Sequence, residues 1–296
     1  MKWETFYVPI VTAVVLPAQA GPANIPALTA ADAKRMARMQ DMRWLATVSA
    51  QQVDEVRSAL RSGHGMVIEP ALHNVVLHQL EDLVPIIEEG VGAPKSYARA
   101  FGELCGHVLN FGDNRFEKLR ESLTTELSGD AFLSMRHKPR HFRPVRHMVT
   151  SVIVINEVRA VKAGRKKEPD LHDLDLSPFE TELVKLSGLK VATAVDAILV
   201  ELSKARVAGT REYTLIQVLH TYPPAKYLPS VLDKLEQIVG TEGYGTTLLL
   251  ESLKLRLDRL DKAGKARVLS IIESIRRTGV TPSFEFGLSA LESELQ

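Results

Sequence analysis

The sequence predicts an all-α protein made of stacked helical hairpins of about 38 residues, an α-solenoid-like architecture preceded by an extended Pro-rich arm. Three observations favour this fold class. Capping residues mark helix starts, glycines follow apolar-periodic stretches, and one apolar face recurs along the chain. Hydrophobic residues make up 45% of the chain and aromatic residues only 6%, so the composition fits helices packed by aliphatic side chains better than a β-sandwich.

Residues 1–28 are predicted to form the arm. An apolar run at 6–16 (FYVPIVTAVVL) precedes a Pro-rich stretch at 17–26. The run has 11 residues, which is too short to span a bilayer, and we expect no integral membrane span elsewhere. The run resembles a signal peptide, but Lys2 and Glu4 give its start a mixed charge and a proline interrupts it. An extended arm is therefore favoured over a secretion signal.

Helix boundaries are marked on both sides. Ser49 stands three residues before Gln52, and Ser177 stands three residues before Glu180, so each pair is predicted to form a capping box at a helix start. Helix stops are expected where a glycine can take the left-handed conformation after an apolar-periodic stretch. The glycines at such positions are Gly63, Gly90, Gly164, Gly209, Gly240 and Gly279.

An apolar pattern recurs before these stops. Val231, Leu232, Leu235 and Ile238 are spaced as one face of a helix, and the same spacing returns 37 residues later, starting at Val268. Earlier registers that are spaced 36 to 41 residues apart begin at Val76, Phe116, Val154 and Val195. Shorter apolar stretches at 183–186, 215–219 and 248–253 are predicted to form the first helix of each hairpin. A single hairpin cannot bury both faces, so neighbouring hairpins are expected to stack.

This pattern divides the chain into four predicted regions. They are the arm at 1–28, an amino-terminal helical-hairpin region with a basic insert at 29–164, a polar linker at 165–176, and a carboxy-terminal helical-repeat region at 177–296. An irregular helical domain of similar average hairpin length remains the alternative to a true repeat. One β-branched run, VTSVIVINEVRAV at 149–161, has the composition of a strand, and we predict a buried helix there.

The strings VLDKLEQI at 231 and VLSIIESI at 268 carry a family resemblance. Together with the period, they make residues 177–279 similar to organellar helical-repeat proteins of the heptatricopeptide and FAST-kinase-like kind, whose units run to about 37 residues. The resemblance covers roughly a third of the chain, and no segment matches the carboxy-terminal RAP module often joined to such repeats. It implies a mitochondrial protein in RNA metabolism or ribosome assembly. The repeats lack shared signature residues, which argues against base-by-base reading of RNA.

Positive charge is concentrated in one block. Between Arg136 and Lys167 there are ten lysines and arginines but only one acid, Glu157, so the block carries +9. The whole chain carries +1, which leaves −8 for the remainder. Since the positive field is local, an anionic partner is expected to bind at this block.

The segment at 135–148 (MRHKPRHFRPVRHM) is the most unusual part of the block. Pro139 and Pro144 predict that it is an extended strip and not a regular helix. Guanidinium groups on such a strip suit phosphate oxygens, and an aromatic ring can stack on a base. Docking on an acidic protein surface, or a solvated loop, would explain the same residues. The predicted phosphate-binding residues are Arg136, Lys138, Arg140, Phe142, Arg143, Arg146, Arg165, Lys166 and Lys167.

Other chemistry finds little support in the residues. His137 and His141 are four apart, but a proline between them and the surrounding cations disfavour a metal. The loop at 170–175 lacks the glycine and the closing glutamate of an EF-hand and is predicted to be a polar linker. Cys105, the single cysteine, and His107 are two apart and would face different sides of a helix.

Glycines 240, 243 and 245 (GTEGYG) lack the lysine of a phosphate loop and are predicted to form an interhelical turn. We therefore expect no catalytic residues, no metal and no cofactor.

The favoured function is a non-enzymatic subunit of a ribonucleoprotein assembly, such as an organellar ribosome or an RNA-processing particle. Its expected partners are RNA and other protein subunits, and its expected location is the mitochondrial or another organellar matrix, with the cytoplasm as the alternative. A purely structural, protein-binding subunit of a complex is the second hypothesis. A secreted or periplasmic helical protein is the third.

Overall fold

The computed structural model describes residues 29–62, 64–89, 105–106, 108–110, 112–124, 139–172, 174–241, 243–279 and 282–295. Within these residues the chain forms thirteen α-helices and three short 3₁₀ helices, and no strand. The predicted all-α class is therefore confirmed for the described part of the chain. The predicted arm at 1–28 lies outside it.

The described residues fall into two compact units that divide between Glu180 and Thr181. The helices of the first unit, including α7, in which the division falls, are α1 (Ala30–Met42), α2 (Ala50–Leu60), α3 (Gly65–Leu77), α4 (Val84–Glu88), α5 (Arg115–Thr124), α6 (Pro139–Lys162) and α7 (Pro178–Ser187). The helices of the second unit are α8 (Val191–Ser203), α9 (Thr210–Leu219), α10 (Pro224–Ile238), α11 (Gly245–Lys254), α12 (Lys262–Arg277) and α13 (Pro282–Leu295). The 3₁₀ helices are Glu81–Leu83, Gly112–Asn114 and Leu257–Arg259.

In the first unit, α3 is the central helix. It packs against α1, α2 and α6, and α6 also packs against α5. Because it has neighbours on several sides, α3 is apolar around most of its circumference and buries ten of its thirteen residues. The β-branched run at 149–161 lies in α6 and is helical, as predicted, and its buried members are Val149, Val152, Ile153, Val154, Ile155 and Val158.

The prediction that the prolines exclude a regular helix from 135–148 is wrong for residues 139–148. Helix α6 begins at Pro139 and continues through Pro144. A proline at the first helical position costs nothing, because that nitrogen needs no intrahelical acceptor. Pro144 is the sixth residue of α6, as Pro70 is of α3 and Pro229 is of α10, so each disturbs only the first turns. Packing of the long apolar remainder then outweighs the lost hydrogen bond.

In the second unit, consecutive helices pack in an alternating order. Helix α8 contacts α9, α10 and α11; α10 contacts α11 and α12; and α12 contacts α13. The recurring apolar face predicted from the sequence lies in this interior. Its fully buried members are Val195, Leu199, Leu202, Val231, Leu232, Leu235, Val268, Ile272 and Ile275.

Both predicted capping boxes are confirmed. The backbone N–H of Ser49 donates to Gln52 Oε1 at 2.7 Å, and the N–H of Gln52 donates back to Ser49 Oγ at 3.3 Å. The N–H of Ser177 donates to Glu180 Oε2 at 2.8 Å, and the N–H of Glu180 donates to Ser177 Oγ at 3.3 Å. Each box satisfies two amide groups that the first helical turn leaves without partners. These starts are therefore determined within four residues of sequence.

Three of the predicted glycine stops are confirmed and one is wrong. Gly164, Gly240 and Gly279 follow α6, α10 and α12 with φ values of 70°, 83° and 84°. Gly209 instead begins α9, where its backbone N–H donates to Glu212 Oε2 at 3.0 Å. A glycine is accepted at an N-cap as well as after a helix, and the acid three residues later decides for the start. Gly63 and Gly90 lie outside the described residues.

Candidate nucleic-acid interface

The structure separates the predicted phosphate-binding residues into two groups. Arg136 and Lys138 lie outside the described residues, and Arg140, Phe142 and Arg143 belong to the described backbone of α6 only. Arg146 is half-buried in the same helix. Arg165, Lys166 and Lys167 are exposed in the turn that follows it. Residues 146 and 162 are 16 positions apart in one helix, or about 24 Å, so the block does not form one continuous extended strip.

The turn after α6 has a defined backbone. Gly164 has a φ of 70° and donates its N–H to the carbonyl of Val161 at 2.9 Å. The N–H of Arg165 donates to the carbonyl of Ala160 at 2.9 Å, which completes a Schellman motif. The cations that follow stand at the negative end of the α6 dipole, where positive charge is favourable. The local sequence thus places a cationic tripeptide at a fixed helix end.

Lys166, the middle residue of that tripeptide, is folded back onto α6. Its Nζ lies 2.7 and 2.6 Å from the two carboxylate oxygens of Glu157. Glu157 is only 8% exposed and also accepts the backbone N–H of Asp170 at 3.0 Å. Arg120 of α5 lies 2.5 Å from the carboxylate of Asp170 and lowers its pKa. These contacts fasten the segment after the turn to α5 and α6.

Two further cations of the block serve internal contacts. Arg159 donates from Nη2 to the carbonyl oxygen of Leu45 at 2.6 Å and from Nη1 to that of Leu77 at 3.4 Å. The ammonium group of Lys162 lies 4.7 Å from the centre of the Trp44 ring, and desolvation lowers the pKa of Lys162 to about 8. These side chains join the carboxy end of α6 to the turn after α1 and to the end of α3. Their charges are committed to the fold.

Arg165 and Lys167 are therefore the available cations of the turn. Both are exposed, and no side-chain hydrogen bond or ion pair joins either of them to another residue in the described ranges. They flank Lys166, so two cations project from a backbone that the Schellman motif and Glu157 hold in place. Such a pair can contact successive anionic groups, and a phosphate backbone supplies them.

Sequence reasoning missed a buried polar cluster in the first unit. Arg43 Nη1 lies 3.2 Å from His73 Nδ1, and Asn74 Nδ2 donates to the carbonyl of Met39 at 2.8 Å. Burial lowers the pKa of Arg43 to about 10 and the pKa of His73 well below its usual value, and it raises that of Glu69. The signal was visible as three polar residues inside the apolar stretch GMVIEPALHNVVL of α3. The cluster ties the end of α1 to α3.

A second buried polar group lies in the other unit. His220 Nε2 lies 2.8 Å from the carbonyl oxygen of Ser252, so Nε2 carries the proton and donates. Burial, together with the nearby Arg256, lowers the pKa of His220 to about 3. Arg256 is 1% exposed and donates from Nη1 to the carbonyl of Leu255 at 3.0 Å. These contacts join the ends of α9 and α11.

The remaining candidate sites have structural environments. Cys105 is buried, and burial raises the pKa of its thiol well above the usual value, which makes it a poor nucleophile. Its suggested partner His107 lies outside the described residues, as does His137. Gly240 and Gly243 lie between α10 and α11, and Gly245 is the first residue of α11, so the predicted interhelical turn is confirmed. Among the described residues, no group of three or more His, Cys, Asp or Glu side chains is placed to hold a metal.

The described helices include none that combines the length and the apolar character needed to cross a membrane. Comparisons with protein-family models, with curated proteins and with solved structures return no match to this chain. The functional interpretation therefore depends on the residues and contacts described above.

Proposed function

We propose that this chain is a non-enzymatic helical subunit of a ribonucleoprotein assembly that contacts RNA phosphates through the 136–167 basic block. The observation that carries the proposal is the exposed pair of cations, Arg165 and Lys167, on a turn whose backbone is fixed. Fixed side chains lose less conformational entropy on binding than side chains on a mobile tail. Phosphate is the partner that best matches two adjacent cations, because each phosphate contact also releases a counterion.

The proposal extends to the architecture and the assembly. Helices α8, α10 and α12 begin at 191, 224 and 262, and the intervening helices α9, α11 and α13 begin at 210, 245 and 282. This alternation supports an α-solenoid of hairpins with a period near 38 residues, as the sequence predicts. The family resemblance favours an organellar ribosome or RNA-processing particle in the mitochondrial matrix as the site of action.

The test is a binding measurement on the full chain with a short, fluorescently labelled single-stranded oligouridylate. Fluorescence anisotropy at several salt concentrations gives the slope of log K against log salt. Replacing both Arg165 and Lys167 with Gln should weaken binding and reduce the magnitude of the slope by roughly 1.4, or about 0.7 for each lost phosphate contact. Other single-stranded sequences should lose affinity to the same extent.

A matched control uses Lys204 and Arg206, which are exposed in the turn after α8. Replacing both with Gln makes the same change in net charge at another turn and should leave the slope unaltered. Equal effects of the two double variants would show that only total charge matters. A wild-type chain that binds no RNA, and that purifies without nucleic acid absorbance after a high-salt wash, would contradict the proposal and favour the protein-binding alternative.

A further inference from the structure

Only part of the charge at the end of α6 faces solvent. Residues 159–167 contain five cations, and three of them are turned inward. Arg159 donates to backbone carbonyls, Lys162 lies over Trp44, and Lys166 pairs with Glu157. A partner that approaches this end of the helix therefore meets a pattern that the sequence count does not show.

Glu157 is the residue that creates the pattern in the turn. Its two oxygens accept the ammonium group of Lys166, and one of them accepts the N–H of Asp170. Arg120 holds the same Asp170 through its carboxylate and, at 3.4 Å, through its carbonyl oxygen. The loop is thus fastened on both sides of residues 167–169.

The exchange of Glu157 for a phosphate is unfavourable. Because Glu157 is almost fully buried, removing Lys166 would leave a carboxylate in the interior without its cation. The phosphate would gain one contact that is exposed to water and screened by salt. Lys166, whose side chain is 42% exposed, should therefore stay on Glu157 when an anion binds.

We propose that Glu157 is a positioning residue that holds Lys166 and the loop beyond it, and so leaves Arg165 and Lys167 as the two residues of this turn that contact a phosphate backbone. The identity of the ligand rests on the proposed function, whereas the role of Glu157 rests on its contacts in this chain. The inference sets the number of phosphate contacts at the turn to two, although three cations are adjacent in the sequence.

Salt slopes of single variants count those contacts, again with the labelled oligouridylate. Arg165→Gln and Lys167→Gln should each reduce the magnitude of the slope by about 0.7, and Lys166→Gln should leave it unchanged. Glu157→Gln should release Lys166 and increase the magnitude by about 0.7. Adding Lys166→Gln to Glu157→Gln should return the slope to the wild-type value. A wild-type slope that falls as much with Lys166→Gln as with Arg165→Gln would overturn the inference.

Glu168→Gln is the matched control, since Glu168 is exposed next to the same turn and the change in charge is equal. It should raise the affinity slightly through the general field without creating a new contact, so the Lys166→Gln comparison should be the same in its background as in the wild type. Circular dichroism of each variant verifies that the helical content is retained.

A second readout needs neither RNA nor a variant. Acylation of the full wild-type chain by trace acetic anhydride, followed by mass spectrometry, compares the amine reactivities of Lys166 and Lys167. Lys167 should react several-fold faster, because Lys166 is held as a paired ammonium group. Equal rates in the wild type would contradict the role of Glu157. A protected Lys166 in a chain that binds no RNA would count against the proposed function alone.

Discussion

Gly245, the first residue of α11, lies directly against the carbonyl group of Ser203, the last residue of α8. A Cβ on residue 245 would overlap the backbone carbonyl oxygen of Ser203 and crowd its carbonyl carbon and Cα. The N–H of Tyr244 donates to the carbonyl of Ala205 at 3.0 Å in the same contact, so the two turns are joined by backbone groups. Backbone atoms cannot rotate away as a side chain can. This close approach requires a glycine.

The first prediction follows from that contact. Gly245→Ala should destabilise the unit by about 1 to 3 kcal/mol, because backbone segments must move apart to admit the methyl group. Urea denaturation monitored by circular dichroism measures the loss. Gly287→Ala is the control, since Gly287 lies in α13 with no atom within 4 Å of an added Cβ. It should be neutral or stabilising by up to about 1 kcal/mol. Similar effects of the two variants would show that 203 and 245 do not meet.

The second prediction concerns a strained helix end. Gln79 has a φ of 55°, and the N–H of Leu80 donates to the carbonyl of Val75 at 2.9 Å, so Gln79 occupies the glycine position of a Schellman motif. Gln79→Gly should stabilise the first unit by about 0.5 to 1 kcal/mol, because glycine adopts this conformation without steric cost.

The reciprocal variant is available in the same unit. Gly164 has the same role after α6, and no atom lies within 4 Å of an added Cβ. Gly164→Gln should therefore cost about 1 kcal/mol through the backbone alone. Thermal melts of both variants test the pair, and a loss of stability in Gln79→Gly would disprove the strained conformation.

The third prediction is a pH dependence in the second unit. The pKa of His220 is about 3 in the folded chain and near 6.5 when unfolded, so the unfolded state binds the proton first as the pH falls. The stabilisation is complete above about pH 6.5 and is lost progressively between pH 6.5 and pH 3. Between pH 7 and pH 5 the loss from this residue should be roughly 2 kcal/mol.

Urea titrations at the two pH values measure this loss. His220→Gln keeps a donor for the Ser252 carbonyl but cannot titrate, so its free energy of unfolding should change less between the two pH values than that of the wild type. His73, whose pKa is also lowered by burial, should still contribute in the variant. An unaltered pH dependence would mean that His220 is not buried as a neutral ring.

The fourth prediction tests the recurring apolar face. Leu235 of α10 is fully buried, so Leu235→Asp should unfold the second unit or cost several kcal/mol by burying an unpaired carboxylate. Gln237 is exposed two residues further along α10. Gln237→Asp should cost less than about 0.5 kcal/mol. Differential scanning calorimetry should separate the two variants, and a wild-type midpoint for Leu235→Asp would exclude this face from the core.

The sequence by itself determined the helices and most of their ends. Ser49 and Ser177 identify helix starts because their capping partners lie three residues away, and Gly164 identifies a stop because its conformation depends on the local backbone. Local signals failed where two readings compete over the same few residues. Gly209 fits both an end and a start, and Pro144 breaks a helix only if packing does not compensate.

The tertiary structure alone decided which cations of the basic block are available. Arg159 reaches carbonyl oxygens that are 82 and 114 positions away in the chain, and Lys162 lies over the ring of the equally distant Trp44. Lys166 is taken by Glu157 because the chain reverses at Gly164 and returns along α6. Charge can be counted from the sequence, but whether a charge faces a partner or the interior depends on which segments the fold brings together.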